Sequence, residues 1–178
     1  MKLLNFLVGF FNLFFYRLFY FSRLRVAGNR GSYLGDIIIT SKVAKVLIGE
    51  NFRSRKHCSL NISSGKLIVG NNVFFNRSVS LNCHLKITIG DDCLFGENVK
   101  VYDHDHSFSD KSRLIKEQGF EVAEVLIGSN VWIGSNVVIL KGSTIGDNSV
   151  IAAGSIVKGV IPNDSIFVQK RKSSLLQI

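Results

Sequence analysis

Residues 103–106 of this chain read Asp-His-Asp-His. Imidazole titrates near neutral pH, so a histidine is suited to general-base chemistry, taking the proton of an attacking hydroxyl or water. His104 and His106 are the candidate bases. A lone histidine at the lip of a turn is more often a structural polar group than a catalyst. Position is a reason to look further, because the run stands just before the one long departure from a repeat that otherwise governs the sequence. A metal is a second use of the same residues. His84 and His104 hold the same place in successive turns of the repeat, which stacks their backbones about 4.8 Å apart and lets both rings approach one ion. A third ligand with suitable spacing is missing, His57 lies on a different side, and no metal is expected.

The repeat must position these groups. Five segments begin alike, with an apolar residue, a glycine and two small polar residues: IGEN at Ile48, VGNN at Val69, IGDD at Ile89, IGSN at Ile127 and IGDN at Ile145. Their offsets are 21, 20, 38 and 18 residues. Eighteen is three hexapeptides, one triangular turn of a β-helix; 20 and 21 add small bulges, and 38 adds a loop. Stepping by six gives Ile48, Ser54, Leu60; Val69, Phe75, Leu81; Ile89, Phe95, Val101; Ile127, Ile133, Ile139; and Ile145, Ile151, Val157, with Ser54 the polar exception. Four residues further on, the inward corners are expected at mostly small or apolar residues, from Phe52 and Cys58 to Ser155 and Ile161. Asp105 is the charged exception, predicted to point inward while His104 and His106 point out. Glycine after the first residue fits a corner needing backbone angles or close approaches that a Cβ disfavours. A period of six, not 3.6, excludes an amphipathic helix over this stretch.

The chain thus divides into a hydrophobic N-terminal helix (1–25), an all-β, parallel β-helix domain (26–162) with an excursion loop (104–123), and a basic tail (163–178). Cys58, Cys83 and Cys93 have no zinc or CxxC spacing and read as small buried side chains. A formal charge of +9 points to an anionic partner. Aromatics gather before residue 22 instead of alternating with Lys and Arg, which argues against nucleic acid.

Residues 3–21, LLNFLVGFFNLFFYRLFYF, come close to spanning length for a helix. Asn5, Gly9, Asn12 and Tyr16 form one stripe and Leu and Phe cover most of the rest, a lopsided helix suited to a membrane interface. Arg17, Arg23, Arg25 and Arg30 would hold anionic lipid and keep the following domain on the cytoplasmic face. The alternatives are a helix packed on the core or a sister subunit, and a true span.

In register, TIGDDCLFGENVKVYDHDH, VLIGSNVWIGSNVVILKGSTIGDNSVIAAGSIV and VIP, within residues 87–162, resemble the hexapeptide-repeat O-acetyltransferases. The resemblance is strongest to the galactoside, maltose and nodulation-factor group and the related capsule and exopolysaccharide enzymes. It implies a left-handed β-helix, a homotrimer with sites between subunits, acetyl-CoA as co-substrate and a saccharide acceptor; the membrane-suited helix adds the expectation of a lipid-linked acceptor in surface polysaccharide assembly. The family's catalytic histidine falls on the eighth residue after Asn98, which is His106. Asn76 matches an asparagine contacting the acceptor hydroxyl; His84, His104 and Arg113 join it as acceptor-binding residues. Ser135 matches the residue whose N–H meets the thioester oxygen, and Gly134, Ala153 and Lys158 match the lining of the coenzyme A groove. Residues 107–121 are expected to form a flap over the acceptor, offering Arg113 and Lys116 to an anionic group. The KRK of residues 170–172 departs from the family's usual continuation. Two other readings are a metal-dependent β-helix enzyme of carbonic-anhydrase type and a non-catalytic trimeric scaffold.

Overall fold

In the computed structural model, which describes residues 2–28 and 31–170, a helix is followed by a coil of parallel β-strands. Three sheets form the sides of a triangular prism. Side one holds seven strands, among them Lys45–Ile48, Lys66–Val69, Lys86–Ile89 and Val125–Ile127; sides two and three hold six each. Side two includes Arg53–Ser54, Phe74–Phe75, Leu94–Phe95 and Trp132–Ile133, and side three includes Cys58–Ile62, Ser80–Cys83 and Lys100–Tyr102. The pairing begins at Leu24 and continues to Phe167, beyond both boundaries expected from the repeat.

The six-step register is the core. Ile48, Val69, Ile89, Ile127 and Ile145 stack along side one, all buried, with equivalent columns on the other sides. Each such burial is worth about 1.5–3 kcal/mol. Tyr33, Phe52, Phe75 and Phe95 form an aromatic column with centroids 5.9, 5.1 and 4.6 Å apart. Ser54 is buried in its inward place, and its hydroxyl accepts the Leu34 N–H at 2.7 Å. All three cysteines are buried free thiols.

Side three departs from the simple register in the longer turns. The strand Cys58–Ile62 alternates buried and partly exposed residues, so the inward places after Leu60, Leu81 and Val101 fall on Ile62, Cys83 and Asp103, two residues on instead of four. Ser64, Leu85 and Asp105 therefore lie outside. The predicted inward Asp105 is corrected to Asp103: the extra residues of a 20-residue turn prolong the strand, and strand alternation carries the inward face with them.

Of the two reasons for a corner glycine, close approach is the one at work. A Cβ on Gly70 would stand 2.6 Å from the Gly90 carbonyl carbon and 2.3 Å from an Asp91 oxygen, and Gly49, Gly90, Gly128 and Gly146 are equally confined. The left-handed residues are instead Asn51, Asn72, Asp92, Asn130, Asn148 and Asp164, with φ between 55° and 60°, a region Asn and Asp tolerate best after glycine.

The helix α1 (Lys2–Phe19) closes the lower end of the prism. Leu13 is buried, the Gly9 carbonyl accepts the Tyr33 N–H at 3.1 Å, the Phe6 carbonyl accepts the Ser32 hydroxyl at 3.2 Å, and the Tyr16 hydroxyl donates to the Gly35 carbonyl at 3.3 Å. The stripe of Asn5, Gly9, Asn12 and Tyr16 thus faces the protein, and Leu4, Leu7, Phe11, Phe14, Phe15 and Leu18 face outward. No described helix is long and apolar enough to cross a membrane. Arg30 lies outside the described residues, as do Arg171 and Lys172.

Substituting Gly70→Ala is expected to lower unfolding stability by about 1–3 kcal/mol, since the new methyl must displace backbone. A urea-denaturation midpoint equal to wild type would refute the close-stacking account.

Candidate active site

At the end of side three the chain passes through Asp103, wholly buried, to His104, partly exposed. The Asp103 carboxylate accepts the backbone N–H groups of His84 (2.8 Å) and Leu85 (2.8 Å) from the turn below and lies 3.0 Å from His104 Nδ1. These donors offset the cost of burying a carboxylate. A carboxylate at Nδ1 makes this nitrogen the one that carries a proton, so in the neutral ring the lone pair lies on Nε2. His84 and His104, expected to stack, do so: their ring centroids are 3.8 Å apart at 34°. Burial first, and then the neighbouring His104, hold His84 below the usual imidazole range, so it stays neutral near pH 7.

After His104 the chain leaves the coil as one arm of a hairpin, His104–His106 pairing antiparallel with Phe120–Val122. Phe120 faces all three histidines, with centroids 4.3 Å from His84, 5.2 Å from His104 and 4.6 Å from His106. His106 is exposed and has no hydrogen bond through its ring among the described residues. Lys141 ties the hairpin base to the coil, 2.8 Å from Glu121 and 3.4 Å from Asp105, so Asp105 anchors the flap from outside. The tip folds on itself: Gln118 bridges Asp110 and Arg113, and the Arg113 guanidinium donates to the Glu117 carbonyl. Phe108, Leu114 and Ile115 stay exposed on it.

Asn76, Gly134, Ser135 and Ala153 lie on a different corner, between sides two and three. The Asn76 side-chain oxygen accepts the Arg77 N–H at 2.9 Å, which is the capping role, and leaves its amide N–H groups open. The corner between sides one and two shows what is unusual here. There a complete ladder joins successive turns: the N–H groups of Glu50, Asn71, Asp91, Ser129 and Asp147 each donate to the side chain of the residue above. On the Asn76 corner the Glu97 N–H donates to the Ser135 hydroxyl at 3.1 Å, but the next rung is Ala153, and the Ser135 N–H has no acceptor among the described residues. Lys158 ends side three two turns beyond Tyr102, exposed.

The chain therefore gathers His84, His104 and His106 at one corner, and Asn76, Gly134, Ser135 and Ala153 at another, separated by the width of side three. Asp103, Phe120 and Lys141 were not picked out from sequence. The first was legible, since Ile62 and Cys83 set the alternation in the two preceding turns; the others depend on where the hairpin folds back. Among the described residues no three His, Cys, Asp or Glu side chains converge as a metal-ligand set. The thiols do not enter this chemistry: burial pushes Cys58 up, Cys93 up to about 11, and Cys83, beside Asp103, further still.

Residues 124–159 match the family described as bacterial transferase hexapeptide (six repeats), and residues 86–101 match the hexapeptide repeat of succinyl-transferase. The galactoside O-acetyltransferase of Escherichia coli K12 is 43% identical over 94 residues, 53% of this chain and 45% of that protein. WbbJ of the same organism, provisionally a lipopolysaccharide biosynthesis O-acetyl transferase, is 33% identical over 126 residues, 66% of this chain and 64% of its own length. The solved galactoside acetyltransferase in complex with coenzyme A superposes with a TM-score of 0.55 at 30% identity, covering 82% of this chain and 59% of that one. The chain spans 44% to 64% of the length of the first curated relatives it matches. Repeat, fold and relatives agree: the chain belongs to the hexapeptide-repeat acetyltransferase family.

Proposed function

We propose that the chain transfers an acetyl group from acetyl-CoA to a saccharide hydroxyl, with His104 as general base. The observation that carries this is the buried Asp103 carboxylate on His104 Nδ1, which leaves Nε2 to take the hydroxyl proton. Acetyl-CoA supplies the acyl carbon as a thioester. The unpartnered Ser135 N–H offers the donor that the developing oxyanion needs, and the small Gly134 and Ala153 leave room beside it for the pantetheine arm. The imidazolium then returns its proton to the departing thiolate, and the acceptor keeps the acetyl ester.

His104 and Ser135 stand on different corners of one chain, so one subunit's histidine corner works with a neighbour's Asn76–Ser135 corner. This supports the homotrimer that the resemblance implies. The exposed apolar residues of the flap then cover the acceptor at the seam, with Arg113 and Lys158 toward the anionic groups of acceptor and coenzyme. His106 is the second reading for the base, favoured by its count from Asn98 and its exposure.

The outward face of α1 supports attachment to a membrane interface. Burying its Leu and Phe side chains in the headgroup boundary, with Arg17 and Arg25 exposed nearby, suits an anionic bilayer surface and an acceptor assembled there, as in surface polysaccharide synthesis.

Acetyl-CoA turnover with a panel of sugars should fall about 100-fold or more in His104→Ala, and Asp103→Asn should follow it in kcat with little change in KM for acetyl-CoA. Retained turnover in His104→Ala with loss in His106→Ala transfers the role to His106; full activity in both defeats the histidine mechanism. In flotation with vesicles containing phosphatidylglycerol, Phe11→Gln/Phe15→Gln should leave the protein unbound while its melting temperature holds, and undiminished binding would end the membrane reading.

A further inference from the structure

Below Ser135, along the same corner, the side chains turn basic. Arg55 stands in register with Asn76 and Lys56 with Arg77, while Glu97, Ser135 and Ala153 follow Arg77 in successive turns. Arg53, Arg55, Lys56, His57 and Arg77 line a cleft of about 790 Å³, floored by Phe74 and Ser54 and walled at its lower end by Asn5 and Phe6 of α1. Arg53, Arg55, Lys56 and Arg77 are all exposed, and none forms an ion pair among the described residues. Asp36 shares a shallow neighbouring pocket with Lys56 and His57 and pairs with neither; Glu97, next to Arg77 in register, leaves it unpaired as well. Arg55 is braced over the Phe74 ring at 5.9 Å, and the Arg53 Nε donates to Asn51 at 3.1 Å, so two of the guanidiniums are held in place before any ligand arrives. The backbone N–H of Lys56 also has no acceptor among the described residues, because the residue above it is Arg77 and not the Asn, Asp or Ser of the complete ladder.

We infer that this cleft binds the phosphate or diphosphate of the carrier on which the acceptor sugar is delivered. Four cations with no carboxylate partner, two of them braced, make an anion site, and the forked guanidiniums fit phosphate oxygens. The location ties the anion to the acceptor. Arg77 lies two turns, about 10 Å, from the Ser135 N–H, on the side away from Ala153, with Glu97 on the turn between and the open Asn76 amide beside Arg77 on its own turn. A sugar spans that interval, so its hydroxyl reaches the acyl carbon while a phosphate on its other end rests among the arginines. That α1 contributes Asn5 and Phe6 to the cleft places its lower mouth beside the outward Leu and Phe face, where the hydrocarbon of a polyprenyl diphosphate would continue. A nucleoside diphosphate offers the same diphosphate without the hydrocarbon. Naming the anion as the acceptor's carrier rests on the acetyltransferase reading; the anion site does not.

The test is binding to the full chain without acetyl-CoA. Calorimetric titration with inorganic pyrophosphate should show saturable binding that weakens as salt rises. It should weaken about 10-fold or more in Arg53→Gln/Arg55→Gln/Arg77→Gln and in Arg77→Gln alone should weaken measurably, with Lys42→Gln, on a different corner of the prism, unchanged. A second arm compares uridine diphosphate with phosphatidylcholine vesicles lacking or carrying a polyprenyl diphosphate. A gain from the polyprenyl diphosphate that the triple variant loses assigns a lipid carrier, whereas a gain confined to uridine diphosphate assigns a nucleotide carrier. No pyrophosphate binding by wild type, or equal binding by the triple variant with its melting curve intact, overturns the inference. Turnover of the His104 variant has no bearing on this titration, so the two proposals fail separately.

Discussion

Everything in this molecule depends on the hydrogen bonding of each backbone turn to the next in parallel register. Parallel pairing lets a residue stack only on its counterpart one turn away, so each corner and each face becomes a column of equivalent positions. A column of glycines lets the corners approach within contact distance, a column of Asn and Asp takes up the left-handed backbone, and columns of Ile, Val and Leu fill the interior. The cost of an intruder is correspondingly sharp, because it meets backbone above and below that is already committed.

The groups proposed to act stand where a column is interrupted. Asp103 is a carboxylate in a column of Ile62 and Cys83, and it persists because two backbone N–H groups from the turn below and one imidazole surround it. Ala153 is a methyl where the neighbouring corner keeps Asn, Asp or Ser, and its consequence is felt one turn away as an N–H with nothing to donate to. Arg55, Lys56 and Arg77 replace small polar residues lower on that corner. In the proposed mechanism these three interruptions of a regular lattice are the base, the donor and the anion site.

The sequence made the coil readable because the repeat carries its own phase. Ile48, Val69, Ile89, Ile127 and Ile145 announce the turn, and the residues six and twelve later follow without reference to anything distant. The phase slipped only where turns exceeded 18 residues. Counting four past Val101 led to Asp105, whereas the strand on side three continues alternating and turns Asp103 inward. His84 over His104 was legible for the same reason as the core, both being column neighbours. Phe120 and Lys141 were not, because the hairpin that brings them to the histidines pairs antiparallel and obeys no repeat. The stripe on α1 was legible as a stripe, but its direction was not: a helix pattern fixes which residues share a face and says nothing of which face meets the coil, and here the docking is set by Gly9 and Leu13 fitting under Tyr33.

A solenoid has two open ends, and each offers a row of unpaired strand groups on which another coil can grow. In this chain α1 lies across the lower opening, so its Gly9 carbonyl takes the Tyr33 N–H that an incoming strand would otherwise claim, and its Phe6 carbonyl accepts the Ser32 hydroxyl. At the upper end Gln169 folds back to accept the Ile156 N–H, and Pro162 stands in the last turn without a donor to lend. The same helix that turns Leu and Phe side chains outward thus also covers the lower edge of the coil, and a variant without it would uncover an edge on which another strand could pair.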